Sequence, residues 1–255
     1  MISRLNSLLQ SLGGAVVFYT IIPLPANIKI SWERIARFSP LVGLMLGSLL
    51  SLADLLTASL SLPILTRSAL LIALWVGLTG GLHLDGAMDS ADGLGVSEPQ
   101  RRLQVMGDSH SGAFGVMAAI LILLLKTLAL SDLTQGRWFV LMGAAGWGRW
   151  GQLSAIAFYP YLKPTGKGAF HKQSLHFPAD VIWGCLTLIG FSLIYLLFDP
   201  AHQLGALGMT LGGMAIALLT GYYFYCRLGG HTGDTYGAVV EWTETFFLCL
   251  SLLLS

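Results

Sequence analysis

The sequence predicts an all-α, polytopic helical membrane protein with about seven transmembrane helices and an N-terminal interfacial or re-entrant segment. Hydrophobic residues make up 55% of the 255 positions and charged residues only 11%. By comparison, about a quarter of the residues in a soluble domain are charged. The mean hydropathy of this chain is +0.71. We therefore expect lipid to be the solvent for most of this chain.

Seven apolar windows reach the length of about 20 residues that a helix needs to cross a bilayer. They are bounded by charges or by Pro and Gly clusters, at residues 39–62, 68–84, 112–131, 138–158, 180–198, 204–226 and 237–255. The apolar stretch from Ser11 to Leu24 is closed by Pro23 and Pro25 before it reaches that length. We expect residues 1–255 to form a single integral membrane domain, because no connection between windows is long enough for a soluble core.

Charge and cysteine usage argue against several classes of function. The formal net charge is +1 and there is no long basic run, so the sequence gives no sign of a nucleic-acid partner. Cys185, Cys226 and Cys249 lie in or beside apolar windows without metal-ligand spacing, and we interpret them as small core residues. The N-terminus lacks a small-residue cleavage site, so no removable signal peptide is expected.

Basic residues indicate which ends of the windows face the cytoplasm. Under the seven-span interpretation most of them share one side: Arg4, Lys29, Arg34, Arg37, Arg101, Arg102, Lys163, Lys167, Lys172 and Arg227. Arg67 and Arg137 fall on the other side. The positive-inside rule makes the first side cytoplasmic. Four windows separate Asp85 from Asp234, so both acidic regions are expected on the cytoplasmic face of the cell (inner) membrane.

The first acidic motif lies at residues 80–95, which read GGLHLDGAMDSADGLG. Asp85, Asp89 and Asp92 fall at i, i+4 and i+7, so on a helix their carboxylates project from one face. Like charges at the end of an apolar span repel each other and lose hydration, and a divalent cation relieves both costs. Because all the ligands are oxygen atoms, the motif favours Mg²⁺, Ca²⁺ or Mn²⁺, with Mg²⁺ the usual partner of carboxylates and phosphates.

The glycines of this motif, Gly86, Gly93 and Gly95, are expected to leave room for a phosphate to approach the backbone. His83 has two interpretations, a packed or hydrogen-bonded histidine and a histidine that takes part in the chemistry.

The second acidic motif lies at residues 228–244, which read LGGHTGDTYGAVVEWTE. Asp234, Glu241 and Glu244 fit one helical face at i, i+7 and i+10. We expect them to join the metal site, with the two glutamates in the first turns of the last span. The alternative is that the glutamates are ordinary partners of the helix dipole.

A third polar cluster, residues 106–115, precedes the third window and reads MGDSHSGAFG. Asp108 and Ser109 are candidates for substrate contact. The competing interpretation is that Asp108, Ser109 and Ser111 cap the helix that follows.

Three basic side chains complete the candidate site. Arg149 lies mid-window, so it is expected to face the interior and meet a carboxylate or a phosphate. Lys163 and Lys167, in the loop 159–168, suit anionic phosphates or lipid headgroups. Lys126 lies toward the end of its window and is expected to extend to the membrane surface.

At these residues the chain resembles the cobalamin synthase family, the adenosylcobinamide-GDP ribazoletransferases that join the nucleotide loop of vitamin B12. The likeness spans most of the chain, and the two long motifs together are specific. Its parts are residues 22–25, 83–93, 108–109, 148–149, 166–168 and 228–234 with the glutamates that follow. The sequence departs from the family pattern at Gly107, where a basic residue is common, and at His110, where an arginine is usual.

The resemblance implies a Mg²⁺-dependent transfer of the adenosylcobinamide phosphate moiety from adenosylcobinamide-GDP to α-ribazole or its 5′-phosphate, with release of GMP. With this chemistry we assign catalytic roles to Asp85, Asp89, Asp92, Asp234, Glu241 and Glu244. The four aspartates are assigned to the metal, and the two glutamates act as a metal ligand or general base. Substrate is assigned to His83, Asp108, Ser109, Arg149, Lys163 and Lys167. The choice of acceptor and the presence of a homo-oligomer stay open.

Two rival functions require other residues than these. A CDP-alcohol phosphotransferase resembles this pattern but has an arginine in its Asp-Gly-x-x-Ala-Arg motif, whereas residues 85–90 here read DGAMDS. A cation transporter predicts acids at mid-span and on discontinuous helices rather than two clusters on one face, and Asp54 is the only clear acid well inside a window.

Overall fold

The computed structural model of the chain describes residues 2–163, 167–198 and 203–254. Its helices are α1 (Ile2–Tyr19), α2 (Ser39–Ser59), α3 (Ile64–Leu78), α4 (Leu82–Gly95), α5 (Arg102–Val105), α6 (Ala113–Asp132), α7 (Arg137–Phe158), α8 (Lys167–Ser174), α9 (Ala179–Phe198), α10 (Gln203–Leu228) and α11 (Gly233–Leu254). Short 3₁₀ segments lie at Ile35–Phe38 and Pro99–Arg101. The prediction of an all-α protein is confirmed.

Five helical segments of the described chain are long and apolar enough to cross a membrane. They are Ile35–Ser59, which contains α2, and the helices α6, α9, α10 and α11. Helices α3 and α4 are long and apolar enough to cross a membrane only when they are taken together as one bent pair. The polytopic membrane class is confirmed, and two of the seven predicted windows, 68–84 and 138–158, differ from the prediction.

The window 68–84 is broken by a glycine turn. Helix α3 ends at Leu78, and Gly80 and Gly81 follow with φ of +61° and +70°. This left-handed conformation is readily adopted by glycine, which has no Cβ. The chain bends by 90° there, so the first acidic motif begins a separate helix, α4.

The window 138–158 corresponds to α7, which lies at the centre of the bundle. It packs against α2, α9, α10 and α11, and nearly all its residues are buried. Since neighbouring helices rather than lipid surround it, α7 accommodates Arg149 and Gln152 and is less hydrophobic than the spanning helices. Gly47 of α2 lies directly against the backbone at Met142, where a Cβ would collide.

Large apolar side chains cover the outside of the bundle. Leu55 on α2 is 66% exposed, Leu197 on α9 is 80% exposed and Leu211 on α10 is 56% exposed. A surface of this kind is a liability in water but matches the acyl chains of a bilayer. The exposed leucines therefore belong to the lipid-facing surface.

Helix α1 is not among the segments that are long and apolar enough to cross a membrane. This agrees with the interfacial or re-entrant segment expected there. It packs through Ala15 and Tyr19 against Ile35 and Leu46. This contact fixes the end of α1 beside the start of α2.

Asp54, the acid inside a predicted span, belongs to an ion cluster. Its carboxylate lies 2.7 Å from Nε of Arg137 and 2.8 Å from Nε of Arg67. The cluster lies at the end of α3 that is far from α4. Two guanidinium groups neutralise this carboxylate. Asp54 is therefore not available to bind a transported cation, as a cation pathway would require.

Candidate functional site

The two acidic motifs meet where α4 packs against α11. A Cβ added at Gly86 would lie 2.5 Å from the carbonyl oxygen of Asp234, and one at Gly237 would lie 2.9 Å from the carbonyl oxygen of His83. Glycine at both positions is what lets the two backbones approach so closely. The start of the second motif therefore lies against the first, and the cytoplasmic side expected for both stays a prediction.

Asp85 and Asp89 lie on the open side of this contact. Asp85 is exposed and Asp89 is half-buried. Burial, and then the negative charges of Asp85, Asp234 and Asp92, raise the pKa of Asp89 to about 6. Helix α4 lies outside the five spanning segments, so these carboxylates belong to the edge of the bundle. A cation placed among them would favour their ionised form.

The glycines of the first motif serve packing rather than phosphate access. Gly86 contacts α11, Gly93 contacts Met106 and Gly95 contacts Phe114. The expectation that they leave room for a phosphate is wrong, because other parts of the chain already fill the space beside each one.

Asp92 is buried and holds the start of α6. Its carboxylate accepts hydrogen bonds from the backbone N–H of Gly112 at 2.7 Å and of Gly115 at 2.8 Å. The first turn of a helix has unpaired N–H groups and a partial positive charge, which an anion satisfies. Asp92 therefore provides the cap that the sequence had suggested for Asp108, Ser109 and Ser111.

Asp234 is bound to the loop that carries Lys163. The Nζ of Lys163 lies 3.0 Å from Oδ2 of Asp234, and the hydroxyl of Thr232 donates to the same oxygen at 3.2 Å. The loop is held in place by backbone hydrogen bonding, since the N–H of Leu162 donates to the carbonyl of His231 at 2.8 Å. Lys163 is therefore at the acidic site, as predicted.

Glu241 and Glu244 do not reach the aspartates. Ten residues of helix separate Asp234 from Glu244, about 15 Å along the axis at about 1.5 Å per residue. In the interior, Lys126 Nζ lies 2.6 Å from Oε2 of Glu241 and 2.6 Å from Oε2 of Glu244. Arg149 Nη1 lies 2.9 Å from Oε1 of Glu244. The two glutamates therefore form a buried ion cluster.

The prediction for Lys126 is wrong, whereas the prediction for Arg149 is confirmed. Lys126 was expected at the membrane surface, and this is wrong: its side chain is 3% exposed and its Nζ lies 4.7 Å from the ring centroid of Trp75. The prediction that Arg149 faces the interior and meets a carboxylate is confirmed. Glu241 and Glu244 are also deeper than predicted, because α11 begins at Gly233.

In the third polar cluster, residues 107–111 are exposed, whereas Met106 and Gly115 are buried. Asp108 accepts hydrogen bonds from the backbone N–H of His110 at 3.1 Å and pairs with its ring at 2.7 Å. This pairing lowers the pKa of Asp108 and raises that of His110. Ser109 lies beside them and is also exposed.

The side chain of Lys167, a predicted substrate contact, lies outside the described part of the structure.

A cavity of about 270 Å³ leads from Asp85 and Asp234 into the bundle. It is lined in part by His83, Gln152, Tyr161, His171 and Tyr236. Apart from His83, these side chains were missed by sequence reasoning. They come from separate elements and share no motif, so only the packing of the helices brings them together.

The chain matches the family described as cobalamin-5-phosphate synthase over residues 11–252. It is 54% identical over 248 residues to a Trichormus variabilis protein named adenosylcobinamide-GDP ribazoletransferase, covering 97% of this chain and 98% of the relative. Proteins of that name from Thermosynechococcus vestitus (50% over 246 residues, 96% of each chain) and Synechocystis sp. (47% over 245 residues, 94% and 93%) are similar. No solved structure matches the chain.

Proposed function

Since the chain belongs to the cobalamin-5-phosphate synthase family, we propose that its aspartate cluster is the Mg²⁺-dependent centre of adenosylcobinamide-GDP ribazole transfer. The activity itself is that of the family: the adenosylcobinamide phosphate moiety passes from adenosylcobinamide-GDP to α-ribazole or its 5′-phosphate. The products are adenosylcobalamin or its 5′-phosphate and GMP, in the last steps of vitamin B12 biosynthesis.

One observation supports this location above all others. Asp85 and Asp89 on α4 meet Asp234 and Lys163 at the edge of a membrane bundle. Transfer of a phosphate-linked group depends mainly on positioning and on neutralising charge, and this combination of carboxylates and an ammonium group suits both needs.

The proposed reaction exchanges a phosphoanhydride bond for a phosphate ester bond. The 3′-hydroxyl oxygen of the acceptor forms a bond to the phosphorus that carries cobinamide. The bond from that phosphorus to the bridging oxygen breaks, and GMP leaves with this oxygen. The hydroxyl proton passes to solvent water at the open mouth of the site, where Asp85 is exposed.

The residues fit a Mg²⁺ ion that is completed by substrate. Mg²⁺ is commonly held by one or two carboxylates together with substrate phosphates and water, and Asp85 and Asp89 supply the carboxylates. No three carboxylate, histidine or cysteine side chains of the described chain already form a metal cluster. Asp234 already accepts a hydrogen bond from Lys163, and Asp92 accepts one from the backbone N–H of Gly112. Their assignment as Mg²⁺ ligands therefore stays a prediction from the sequence. When bound, the ion would neutralise the charge that develops on the departing GMP oxygen.

Lys163 is proposed to bind the phosphates of the donor substrate. Its ammonium group is paired with Asp234 and is 36% exposed, so it is both near the acids and accessible. A phosphate oxygen that takes over the ammonium group would free Asp234 for the metal. Glu241 and Glu244 are assigned a positioning role, since they fix α11 beneath Asp234 through Lys126 and Arg149.

We propose that the site faces the cytoplasm. Arg102 and Arg227 lie at the same end of the bundle as Lys163, and Arg102 Nη1 donates to the carbonyl of Arg227 at 3.0 Å. At the opposite end, Arg67 and Arg137 are neutralised by Asp54. The excess of positive charge at the end with the site supports a cytoplasmic orientation.

Purified protein in liposomes tests the proposal when it is given adenosylcobinamide-GDP, α-ribazole and Mg²⁺. We expect GMP release that stops when the divalent cation is removed by a chelator. A reaction that continues at full rate with chelator would overturn the metal assignment. A parallel sample with a CDP-alcohol and a lipid acceptor measures CMP release, which would support the rival phospholipid synthase.

A further inference from the structure

The cavity behind the aspartates has two chemically different ends. The mouth carries the charged side chains of Asp85, Asp234 and Lys163. The inner end lies between α1, α4, α7, α8 and α11, and its polar side chains are uncharged. A ligand at the inner end is therefore expected to be polar but uncharged, whereas the charged mouth suits phosphate groups.

Polar atoms at the inner end have no hydrogen-bond partner within the described residues. This applies to Oη of Tyr236, both ring nitrogens of His171, both ring nitrogens of His83 and Oε1 of Gln152. These residues are only 2%, 3%, 1% and 6% exposed, respectively. Buried polar groups nearly always have a partner, so four such residues around one cavity indicate a site for a polar ligand or for ordered water.

The chemistry of these groups selects for hydroxyl-bearing ligands. Tyrosine and neutral histidine both donate and accept, and the glutamine oxygen accepts, which matches the donors and acceptors of a sugar. Burial lowers the pKa of His171 to about 4, so its ring is neutral at neutral pH. Phe18 and Tyr161 add aromatic surface to the same cavity, which suits a planar ring.

The volume narrows the choice between the two substrates. About 270 Å³ is at the lower limit of pockets for drug-sized ligands, which occupy about 300–1,000 Å³. It accommodates a single nucleoside but not the much larger corrin ring system of the donor.

We propose that this cavity binds the acceptor nucleoside α-ribazole, with its ribose held by Gln152, His171 and Tyr236 and its base against Phe18 and Tyr161. The inference rests on the proposed function and names the substrate that occupies this part of the site. The sugar hydroxyl that reacts would then lie at the mouth, next to the phosphates of the donor.

Direct binding tests the proposal without the reaction. Calorimetry with purified protein and α-ribazole alone is compared for wild type and for Tyr236→Phe, Gln152→Leu and His171→Phe. The loss of one hydrogen bond to a buried partner weakens binding by about tenfold, so we expect Kd for the nucleoside to rise by about that factor. Tyr223→Phe, an exposed tyrosine on α10, is the matched control and should leave Kd unchanged.

Steady-state kinetics provides the second readout. We expect KM for α-ribazole to rise in each variant while KM for adenosylcobinamide-GDP stays at its wild-type value. Tyr236→Phe keeps the shape of the ring and decides the question if another variant does not fold. Variants that keep the wild-type Kd and KM for the nucleoside would show a cavity filled by water only. Variants that raise KM for the donor instead would place the donor in the cavity. Either result would overturn the inference. Active wild type with such variants leaves the proposed function intact, whereas wild type that never releases GMP contradicts the function itself.

Discussion

The ammonium nitrogen of Lys126 on α6 lies 2.6 Å from a carboxylate oxygen of Glu241 on α11, in the interior of the bundle. The two side chains are 3% and 5% exposed. Ions so far from water are stable only when each has a partner, because an unpaired buried charge costs about 3–5 kcal/mol. The contact between α6 and α11 therefore depends on this pair.

Replacement of this lysine is expected to destabilise the protein. Lys126→Met leaves the carboxylates of Glu241 and Glu244 with less compensation, and we expect a loss of about 3–5 kcal/mol of stability. Thermal unfolding in detergent measures it. Lys29→Met, at an exposed lysine, is the matched control and should change stability by less than about 0.5 kcal/mol. Equal melting temperatures for the two variants would contradict the prediction.

Removal of one carboxylate charge at the site is expected to abolish most activity. Asp89→Asn keeps the shape of the side chain but removes a proposed Mg²⁺ ligand, so GMP release should fall by about 10²-fold or more. Initial rates across a Mg²⁺ titration measure the effect. Asp132→Asn, at the exposed end of α6, should retain the wild-type rate. An Asp89→Asn enzyme with an unchanged rate and Mg²⁺ dependence would remove Asp89 from the centre.

Loss of the proposed phosphate-binding cation is expected to weaken donor binding. Lys163→Ala removes the ammonium group beside Asp234, and KM for adenosylcobinamide-GDP should rise about tenfold, the effect of about 1.4 kcal/mol. Because Lys163 is partly exposed, the effect should be smaller at high salt. Kinetics at two ionic strengths tests both statements, and a rise in KM for α-ribazole alone would place Lys163 elsewhere.

A single added methyl group is expected to separate the two acidic motifs. In Gly86→Ala the new Cβ would lie 2.5 Å from the carbonyl oxygen of Asp234, so α4 must move away from α11. We expect a loss of about 1–3 kcal/mol in stability, accompanied by a fall in activity. Gly77→Ala, also in a helix but with nothing within 4 Å of the new atom, should fold and function normally. Equal behaviour of the two variants would refute the close contact.

Stability is expected to fall in mild acid because of two buried histidines. Burial lowers the pKa of His171 and of His231 from 6.5 to about 4. Between these values the unfolded chain binds more protons than the folded one, so stability is full above pH 6.5 and decreases as pH falls toward 4. His171 contributes up to about 3 kcal/mol to this change. Unfolding of His171→Phe at pH 7 and pH 4.5 should show a smaller decrease than wild type, and an identical decrease would assign the pH dependence to other groups.

Much of the site could be predicted because its signals are local. The spacing of Asp85, Asp89 and Asp92 defines a helical face, and the motif around Asp234 is similarly compact. The window 68–84 was predicted as one span, but the chain bends by 90° there and Gly80 and Gly81 both have positive φ. The glutamates were misplaced because helical spacing gives the face of a residue and not its depth below the surface.

The lipid environment, the helical class and the two acidic motifs follow from composition and from spacing within one or a few helical turns. The charge pairs depend on how the helices pack: Lys126 and Glu241 are 115 positions apart, and Asp92 lies 20 positions from the helix start that it caps. Such pairs arise when helices pack, since a buried charge must find its partner in space wherever that partner lies along the chain.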